Sequence, residues 1–398
     1  TLLASSAASD VYKRQIKNGA FCIVMDVNTG EIKAMATLGS YDPNNYLEIY
    51  DDAAAALLEN ERDAALSLPE TSDAYKAAID QYKNDVAAAR MAQWRNRCVS
   101  DGYEPGSTFK ILTLAMALEE NKVKMSDTFN CPGYVVIEGA KINCSKRAPG
   151  HGHQDLITAF ANSCNPAFIN IGLRLGNTTF YNYMKAFGLT GKTGVDTTGE
   201  ASGFVNKEIE YSTLALACYA FGQNFNVTPL SLINAQAACV NGGYLHTPYL
   251  VERITDSDGN VTYRHDNTPV RQVISEQTSA TVRECLEYVV ASGTGKNGQV
   301  AGYRIGGKSG TADKGQTGDV VVSFLCFAPA DDPQVIMLIT MDTPSRATGT
   351  YVSGGNMVAP TASTVMAEIL PYLGVEPSYS AEELLGMDTT CLLYTSPS

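Results

Sequence analysis

The chain carries the stretch EPGSTFKIL at residues 104–112, which contains a nucleophile and a base in helical register. Pro105 and Gly106 break the preceding segment and good helix formers follow through Glu120, so Ser107 is predicted to open a helix. Lys110 then lies one turn later on the same face. A serine hydroxyl becomes nucleophilic when a base takes its proton, and a lysine whose pKa is lowered by burial is such a base. Because this pair is common on solvated helices, the stretch alone does not establish a site.

Two later motifs strengthen this interpretation. Ser163–Asn165 reads SCN and follows an apolar run with helical character. Lys308–Thr311 reads KSGT and precedes a strand-like run at 320–326. The order S-x-x-K, S-x-N, K-[ST]-G is the motif set of serine β-lactamases and penicillin-binding proteins. All three are improbable together by chance, so they indicate one acyl-transfer site.

The strand-like segments of the chain predict an α+β fold. Residues 20–27 and 31–37 form a hairpin around a Thr29-Gly30 turn, and strands are predicted at 304–311, 320–328 and 335–342. Because no helix separates the partners, the strands are expected to form one five-stranded antiparallel sheet. The sheet is expected to be flanked by helices, including a closing helix at 359–373, with an adjoining helical lobe. The cleft would lie between this lobe and the edge strand that carries Lys308.

These stretches, with 194–203 and 354–360, resemble the transpeptidase domain of a class B penicillin-binding protein of the division and sporulation type. The resemblance covers roughly residues 17–377, and the transpeptidase domain is predicted over 16–377. A helical insertion is expected at about 46–93 and a linker at 378–390. Two positions differ in detail from the family's pattern. Cys164 occupies the variable middle of the second motif, and Ser309 replaces the commoner threonine but keeps a hydroxyl.

The resemblance implies a role for each motif residue. Ser107 would be the nucleophile, Lys110 the base and Ser163 the relay that gives a proton to the leaving group. Backbone N–H groups of Ser107 and Thr311 would form the oxyanion hole. The substrate-binding set would consist of Asn165, Lys308, Ser309, Gly310 and Thr311. No cofactor and no metal is expected for this chemistry.

The implied function is a peptidoglycan D,D-transpeptidase that cross-links stem peptides through an acyl-serine and is trapped by β-lactams. A membrane glycosyltransferase of the division or sporulation machinery is the expected partner. The expected location is the outer face of the cytoplasmic membrane, with an anchoring helix upstream of this fragment. Two alternatives remain open: a D,D-carboxypeptidase or β-lactamase, and a non-enzymatic β-lactam sensor.

A hydrolase of this fold needs a carboxylate that activates water. Glu200 is the candidate, but Gly203 stands where lactamases carry an asparagine, so Glu200 is predicted to fix its loop. The histidines at 151, 153, 246 and 265 lie outside any G-x-S-x-G context and are expected at turns or the surface. Tyr103 is expected to pack in the core or at the rim, with cleft lining as the alternative.

The charge and cysteine content narrow the possible partners. The net charge of −13 argues against nucleic acid as a ligand.

The ten cysteines form no C-x-x-C pair, so most are predicted to be small buried hydrophobes rather than a metal module. Cys131 and Cys144 flank a predicted hairpin, and a disulfide between them is one alternative. A looser zinc set of these two cysteines with His151 and His153 is the other.

Both ends of the chain resemble processing scars. Residues 10–15 and 391–396 can be encoded by one DNA tag read on opposite strands, as in a transposon sequencing adapter. Residues 1–15 and 391–398 are therefore excluded from the fold prediction, and the chain is expected to be a fragment of a longer protein.

Overall fold

The structure is a computed structural model that describes residue 16 and residues 19–315, 318–346 and 349–379. The expected scars at 1–15 and 391–398, and all but residues 378–379 of the expected linker, lie outside the described residues.

The strands are short except in the central sheet. In chain order they are β1 (Ala20–Asp26), β2 (Ile32–Thr37), β3 (Thr128–Cys131), β4 (Tyr134–Ile137), β5 (Ala140–Asn143), β6 (Gly152–Asp155), β7 (Tyr244–Leu245), β8 (Arg253–Thr255), β9 (Val261–Arg264), β10 (Arg271–Gln272), β11 (Gly306–Asp313), β12 (Val320–Ala328) and β13 (Val335–Asp342). The small ribbons pair β3 with β6, β4 with β5, β7 with β10 and β8 with β9.

The helices of the described chain fall before, between and after these strands. They are α1 (Asp52–Leu66), α2 (Asp73–Trp94), α3 (Arg97–Ser100), α4 (Lys110–Glu119), α5 (Leu156–Ala161), α6 (Asn165–Leu175), α7 (Asn177–Ala186), α8 (Thr213–Tyr219), α9 (Pro229–Ala238), α10 (Glu276–Ser292) and α11 (Ala359–Tyr372). A 3₁₀ turn at Gly106–Phe109 precedes α4, and a π turn at Gly354–Val358 precedes α11.

One five-stranded sheet forms the centre of the molecule, in the order β11-β12-β13-β1-β2. Every neighbouring pair is antiparallel, which confirms the sheet predicted from the sequence. Because β11 has a partner on one side only, it is an edge strand, and it carries Lys308–Thr311 as expected.

The sheet is buried on both faces, and alternate residues of β12 show this directly. Leu325 and Phe327 point into the core of the helical lobe. Phe324 and Cys326 point the other way, into a second core that α11 covers with residues such as Met366. This strand therefore contributes side chains to both cores. Fully burying a large apolar side chain stabilises the fold by roughly 1.5–3 kcal/mol, so both faces of the strand add to stability.

The helical lobe places the 104–112 stretch inside the protein. The predicted helix forms in two parts, a 3₁₀ turn at Gly106–Phe109 followed by α4, whose residues 110–117 are all buried. The segment predicted as an insertion forms α1 and α2, which begin at the side-chain caps Asp51 and Ser72 and pack on each other. Most of their residues are exposed, as expected for a surface helical hairpin.

Candidate active site

The three motifs meet at the junction of the sheet edge and the helical lobe. Ser107 lies half-buried in the 3₁₀ turn before α4, Ser163 in the loop before α6, and Lys308 on β11. The Lys110 Nζ atom lies 3.0 Å from the Ser107 Oγ atom and 3.2 Å from the Ser163 Oγ atom. Residues up to 201 positions apart in the chain therefore share one hydrogen-bond network.

Lys110 is fully buried, and its amine is surrounded by oxygen atoms. Besides the two hydroxyls, Nζ contacts the Ser163 carbonyl oxygen at 2.8 Å and the Asn165 Oδ1 atom at 2.7 Å. Burial lowers the pKa of Lys110 from 10.5 to about 8. A neutral amine has two N–H donors and one lone pair. The amine can donate its two N–H groups to its two nearest acceptors, the Ser163 carbonyl oxygen and the Asn165 Oδ1 atom. Its lone pair is then available to accept the Ser107 hydroxyl proton.

Lys308 is also fully buried, and its amine contacts the same Ser163 hydroxyl. Its Nζ donates to the Ser163 Oγ atom and to the Ser309 carbonyl oxygen, both at 3.0 Å. Burial and the charge of Lys110 hold the pKa of Lys308 well below its usual range. Two positive charges buried beside one hydroxyl repel each other, so the surroundings disfavour the state in which both amines are charged.

The backbone is adapted to this close approach. Gly106 has a φ of +56°, and a Cβ atom there would lie 2.7 Å from the Thr311 carbonyl oxygen. Glycine is therefore required where the 3₁₀ turn of Ser107 meets β11. Ser163 has a φ of +52°, an unusual value for a residue with a side chain. This conformation lets both its carbonyl and its hydroxyl face the Lys110 amine.

The remaining residues that the sequence predicts to bind substrate include three that follow Lys308 along β11. Ser309 is buried, and its hydroxyl donates to the Thr294 Oγ1 atom at 3.1 Å. Thr311 is exposed, and its hydroxyl accepts from the Gly354 N–H at 3.4 Å. Gly310 lies between them, against the turn that holds Ser107. The two hydroxyls thus flank the strand edge next to the nucleophile.

Asn165 is engaged at both ends of its amide. Oδ1 accepts from Lys110, and Nδ2 donates to the Asn143 carbonyl oxygen at 3.0 Å. One N–H and one lone pair remain for a ligand. Sequence reasoning missed the supporting roles of Asn143 and Thr294, because neither lies in a recognisable motif. Only the fold brings them to the site.

Three further expectations from the sequence concern Glu200, Tyr103 and the histidines. Glu200 Oε1 accepts from the Thr193 N–H and hydroxyl, both at 2.6 Å, and Oε2 from the Gly194 N–H at 3.3 Å, so it fixes its loop as predicted. Tyr103 packs edge-on against Phe21 in the core. His246 is buried, so the expectation that all histidines lie at turns or the surface is wrong for this one.

Cys131 and Cys144 do not occupy facing positions of one hairpin, as the sequence had suggested. Cys131 ends β3 and pairs with Gly152, so it does not face Cys144 across two strands. Both side chains are free thiols. Their sulfur atoms nevertheless lie within 4.8 Å of each other and of ligand atoms of His151 and Cys164, so these four residues are a group of the described chain that could hold a metal ion. His153, which belonged to the expected zinc set, is exposed and outside it.

Comparisons with known proteins find a matching family model and several similar proteins. The family model for the penicillin-binding protein transpeptidase domain matches residues 20–367. Stage V sporulation protein D of Bacillus subtilis is 44% identical over 291 residues, which is 71% of this chain and 44% of that protein. Peptidoglycan D,D-transpeptidase FtsI of Escherichia coli is 26% identical over 361 residues, 89% of this chain and 52% of that protein.

Solved structures show the same fold. The D,D-transpeptidase domain of a peptidoglycan glycosyltransferase from Eggerthella lenta has a TM-score of 0.71 and 26% identity, with 93% of this chain and 81% of that chain covered. The chain spans about half the length of the curated relatives it matches. Among the helices of the described residues, we find no segment long and apolar enough to cross a bilayer.

Proposed function

We propose, from the premise that the chain belongs to the class B penicillin-binding protein transpeptidase family, that it cross-links peptidoglycan through an acyl-serine at Ser107. The observation that carries this proposal is the amine of Lys110. It is fully buried, has a pKa of about 8, and lies 3.0 Å from the Ser107 hydroxyl. Burial raises the fraction of neutral Lys110 amine next to the Ser107 hydroxyl, which supports Lys110 as the base that accepts its proton.

Acylation begins when Ser107 Oγ attacks the carbonyl carbon of the penultimate D-alanine, and Lys110 takes the hydroxyl proton. The developing oxyanion binds the backbone N–H groups of Ser107 and Thr311. Ser163 gives its proton to the leaving D-alanine amine as the peptide bond breaks, and it takes in turn the proton held by Lys110, whose amine lies 3.2 Å away. An amine of a neighbouring stem peptide then attacks the ester and forms the cross-link, and the proton that this amine loses returns to the Ser107 oxygen as the ester bond breaks.

Substrate binding uses the rest of the network. The hydroxyls of Ser309 and Thr311 bind the terminal carboxylate, and its negative charge favours the protonated form of Lys308. The unused N–H and lone pair of Asn165 bind the peptide backbone of the donor strand. Gly310 permits the close approach of β11 to the turn that holds Ser107.

The hydrolase alternative requires a carboxylate that can activate a water, and Glu200 is the candidate. The carboxylate of Glu200 is held by three hydrogen bonds within its own loop, from Thr193 and Gly194. This observation supports slow deacylation by water, and therefore transfer to an amine, over β-lactamase activity.

The biological setting follows the names of the relatives, one a sporulation protein and another a division-type FtsI. We place the intact protein at the outer face of the cytoplasmic membrane, held by a helix upstream of this chain. A membrane glycosyltransferase that makes the glycan strand is the partner such cross-linking requires.

The test combines covalent labelling with product analysis. The purified chain is expected to react with a fluorescent penicillin, and peptide mapping is expected to place the adduct on Ser107. Incubation with a stem peptide ending in D-Ala-D-Ala and an acceptor amine should release D-alanine and form the cross-linked dimer. Released D-alanine without dimer would establish a carboxypeptidase, and labelling without any release would support a sensor.

A further inference from the structure

Four side chains converge beside the second motif, at a point the acyl-transfer chemistry does not use. They are Cys131, Cys144, His151 and Cys164, and each offers one ligand atom within 4.8 Å of all the others. The three cysteines are fully or almost fully buried, with exposures of 0%, 3% and 0%. Isolated buried cysteines act as small hydrophobes, but an imidazole facing three thiols is not apolar packing.

The separations suit a tetrahedral zinc ion. Zinc–sulfur bonds of about 2.3 Å and a zinc–nitrogen bond of about 2.0 Å place the ligand atoms roughly 3.5–3.8 Å apart. The Cys144 Sγ atom already lies 3.5 Å from the His151 Nδ1 atom. Contracting the widest separation by about 1 Å would complete the tetrahedron. Three thiols and one imidazole form a soft donor set that favours zinc over magnesium or calcium.

Each ligand lies where a short element begins or ends, so local structure aims all four at one point. Cys131 is the last residue of β3, Cys144 follows β5, and His151 precedes β6. Cys164 is the N-cap of α6, and its side chain makes no capping hydrogen bond. The chain approaches Cys131 closely at Gly150, whose φ is +80° and where a Cβ atom would overlap the Cys131 carbonyl oxygen.

We propose that Cys131, Cys144, His151 and Cys164 bind one zinc ion, and that this ion fixes the loop carrying Ser163 and Asn165. Cys164 lies between these two motif residues in the chain. Asn165 also donates to the carbonyl of Asn143, the residue before Cys144. The metal therefore holds both ends of this hydrogen bond, and with it the unusual backbone of Ser163. The thiols bind as thiolates, so their three protons leave to solvent.

The metal content is measured on the purified chain, kept reduced and free of chelators. Elemental analysis is expected to find about one zinc ion per chain. Replacement by cobalt is expected to give the intense visible absorption of a tetrahedral thiolate complex, which reports coordination directly. Neither measurement depends on enzymatic activity, so failure of the metal site and failure of the proposed function are distinguishable.

Matched variants identify the ligands. His151→Ala and Cys131→Ser should lose the ion, whereas His153→Ala and Cys239→Ser should keep it, because His153 is exposed and neither it nor the buried Cys239 belongs to the four-residue group. The cobalt absorption should weaken and shift in the first pair only. Equal loss of zinc in His153→Ala would overturn the assignment.

The effect on the motif loop rests on the proposed function and is tested without mutation. Removing the ion from the wild-type chain should slow penicillin acylation by roughly 10- to 100-fold, which is the loss typical when a group that orients an active-site residue is removed. Adding zinc should restore the rate. Unchanged acylation of the metal-free chain would exclude the positioning role. A metal-free reduced chain as purified, or a Cys144–Cys164 disulfide in its place, would overturn the zinc site itself.

Discussion

The rate of acylation by penicillin should depend on pH through Lys110. An ordinary lysine with a pKa of 10.5 is neutral in only about 0.03% of molecules at pH 7. With a pKa of about 8, roughly 1% of Lys110 is neutral at pH 6, about 10% at pH 7 and about half at pH 8. Burial therefore raises the amount of base at pH 7 by roughly 300-fold.

The direction of the profile follows from the form that reacts. Neutral Lys110 is the base, and it is lost as pH falls below its pKa, so the rate should fall tenfold per pH unit there and level off above it. Between pH 6 and pH 8 the expected rise is roughly 50-fold. The network shares protons between Lys110 and Lys308, so the measured midpoint belongs to the pair.

The assay is the second-order rate constant for a fluorescent penicillin, measured at constant ionic strength from pH 5.5 to about 10. Thermal unfolding at each pH controls for loss of the fold. Lys110→Ala should slow acylation by about 10²–10⁴-fold and remove the rise. A wild-type profile that is flat, or whose midpoint lies near 10.5, would refute the assignment of a buried neutral base. The same rise in Lys110→Ala would move the base to another residue.

Three further variants test the rest of the network. Ser107→Ala should abolish penicillin labelling without changing the unfolding midpoint, and any adduct that persists would place the nucleophile elsewhere. Lys308→Ala should slow acylation by a substrate with a free terminal carboxylate by ~30-fold or more, the effect of ~2 kcal/mol from an unpaired buried charge. An amidated substrate should be affected much less, and equal losses would exclude carboxylate recognition. In both the wild type and Glu200→Gln the penicilloyl adduct should persist for many minutes by intact-protein mass, whereas turnover within seconds that Glu200→Gln removes would identify a hydrolase.

Local patterns were sufficient to predict the sheet and the three motifs. The strands at the two ends of the chain are continuous apolar runs with no helix between partners, and this pattern is compatible with antiparallel pairing of buried strands. The helix beginning near Ser107 is set by Pro105 and Gly106 before it and helix formers after it. The order of the motifs identified all six residues that the structure joins through the amines of Lys110 and Lys308, namely Ser107, Lys110, Ser163, Asn165, Lys308 and Ser309.

The cysteine cluster could not be predicted in the same way. Its four members are spaced irregularly, so no periodicity marks them, and the expected zinc set contained His153 in place of Cys164. Residues two apart on a regular strand share a face, but Gly152 between His151 and His153 has a φ of +71°, so this alternation does not hold across the start of β6 and His153 is exposed. In the sequence, Cys164 occupies the variable middle position of a motif. Nothing in that pattern indicates that it lies close to Cys131, Cys144 and His151.

Residue types and their order were therefore sufficient to predict the family, the sheet and a set of candidate reactive groups, because these depend on short-range propensities and on motif spacing. The electrostatic state of the site was decided by tertiary structure alone. Lys110 and Lys308 read as ordinary lysines in the chain, and only packing removes both from water and brings them to one hydroxyl. Desolvation depends on everything that surrounds a group, and that environment is assembled from segments far apart in the sequence.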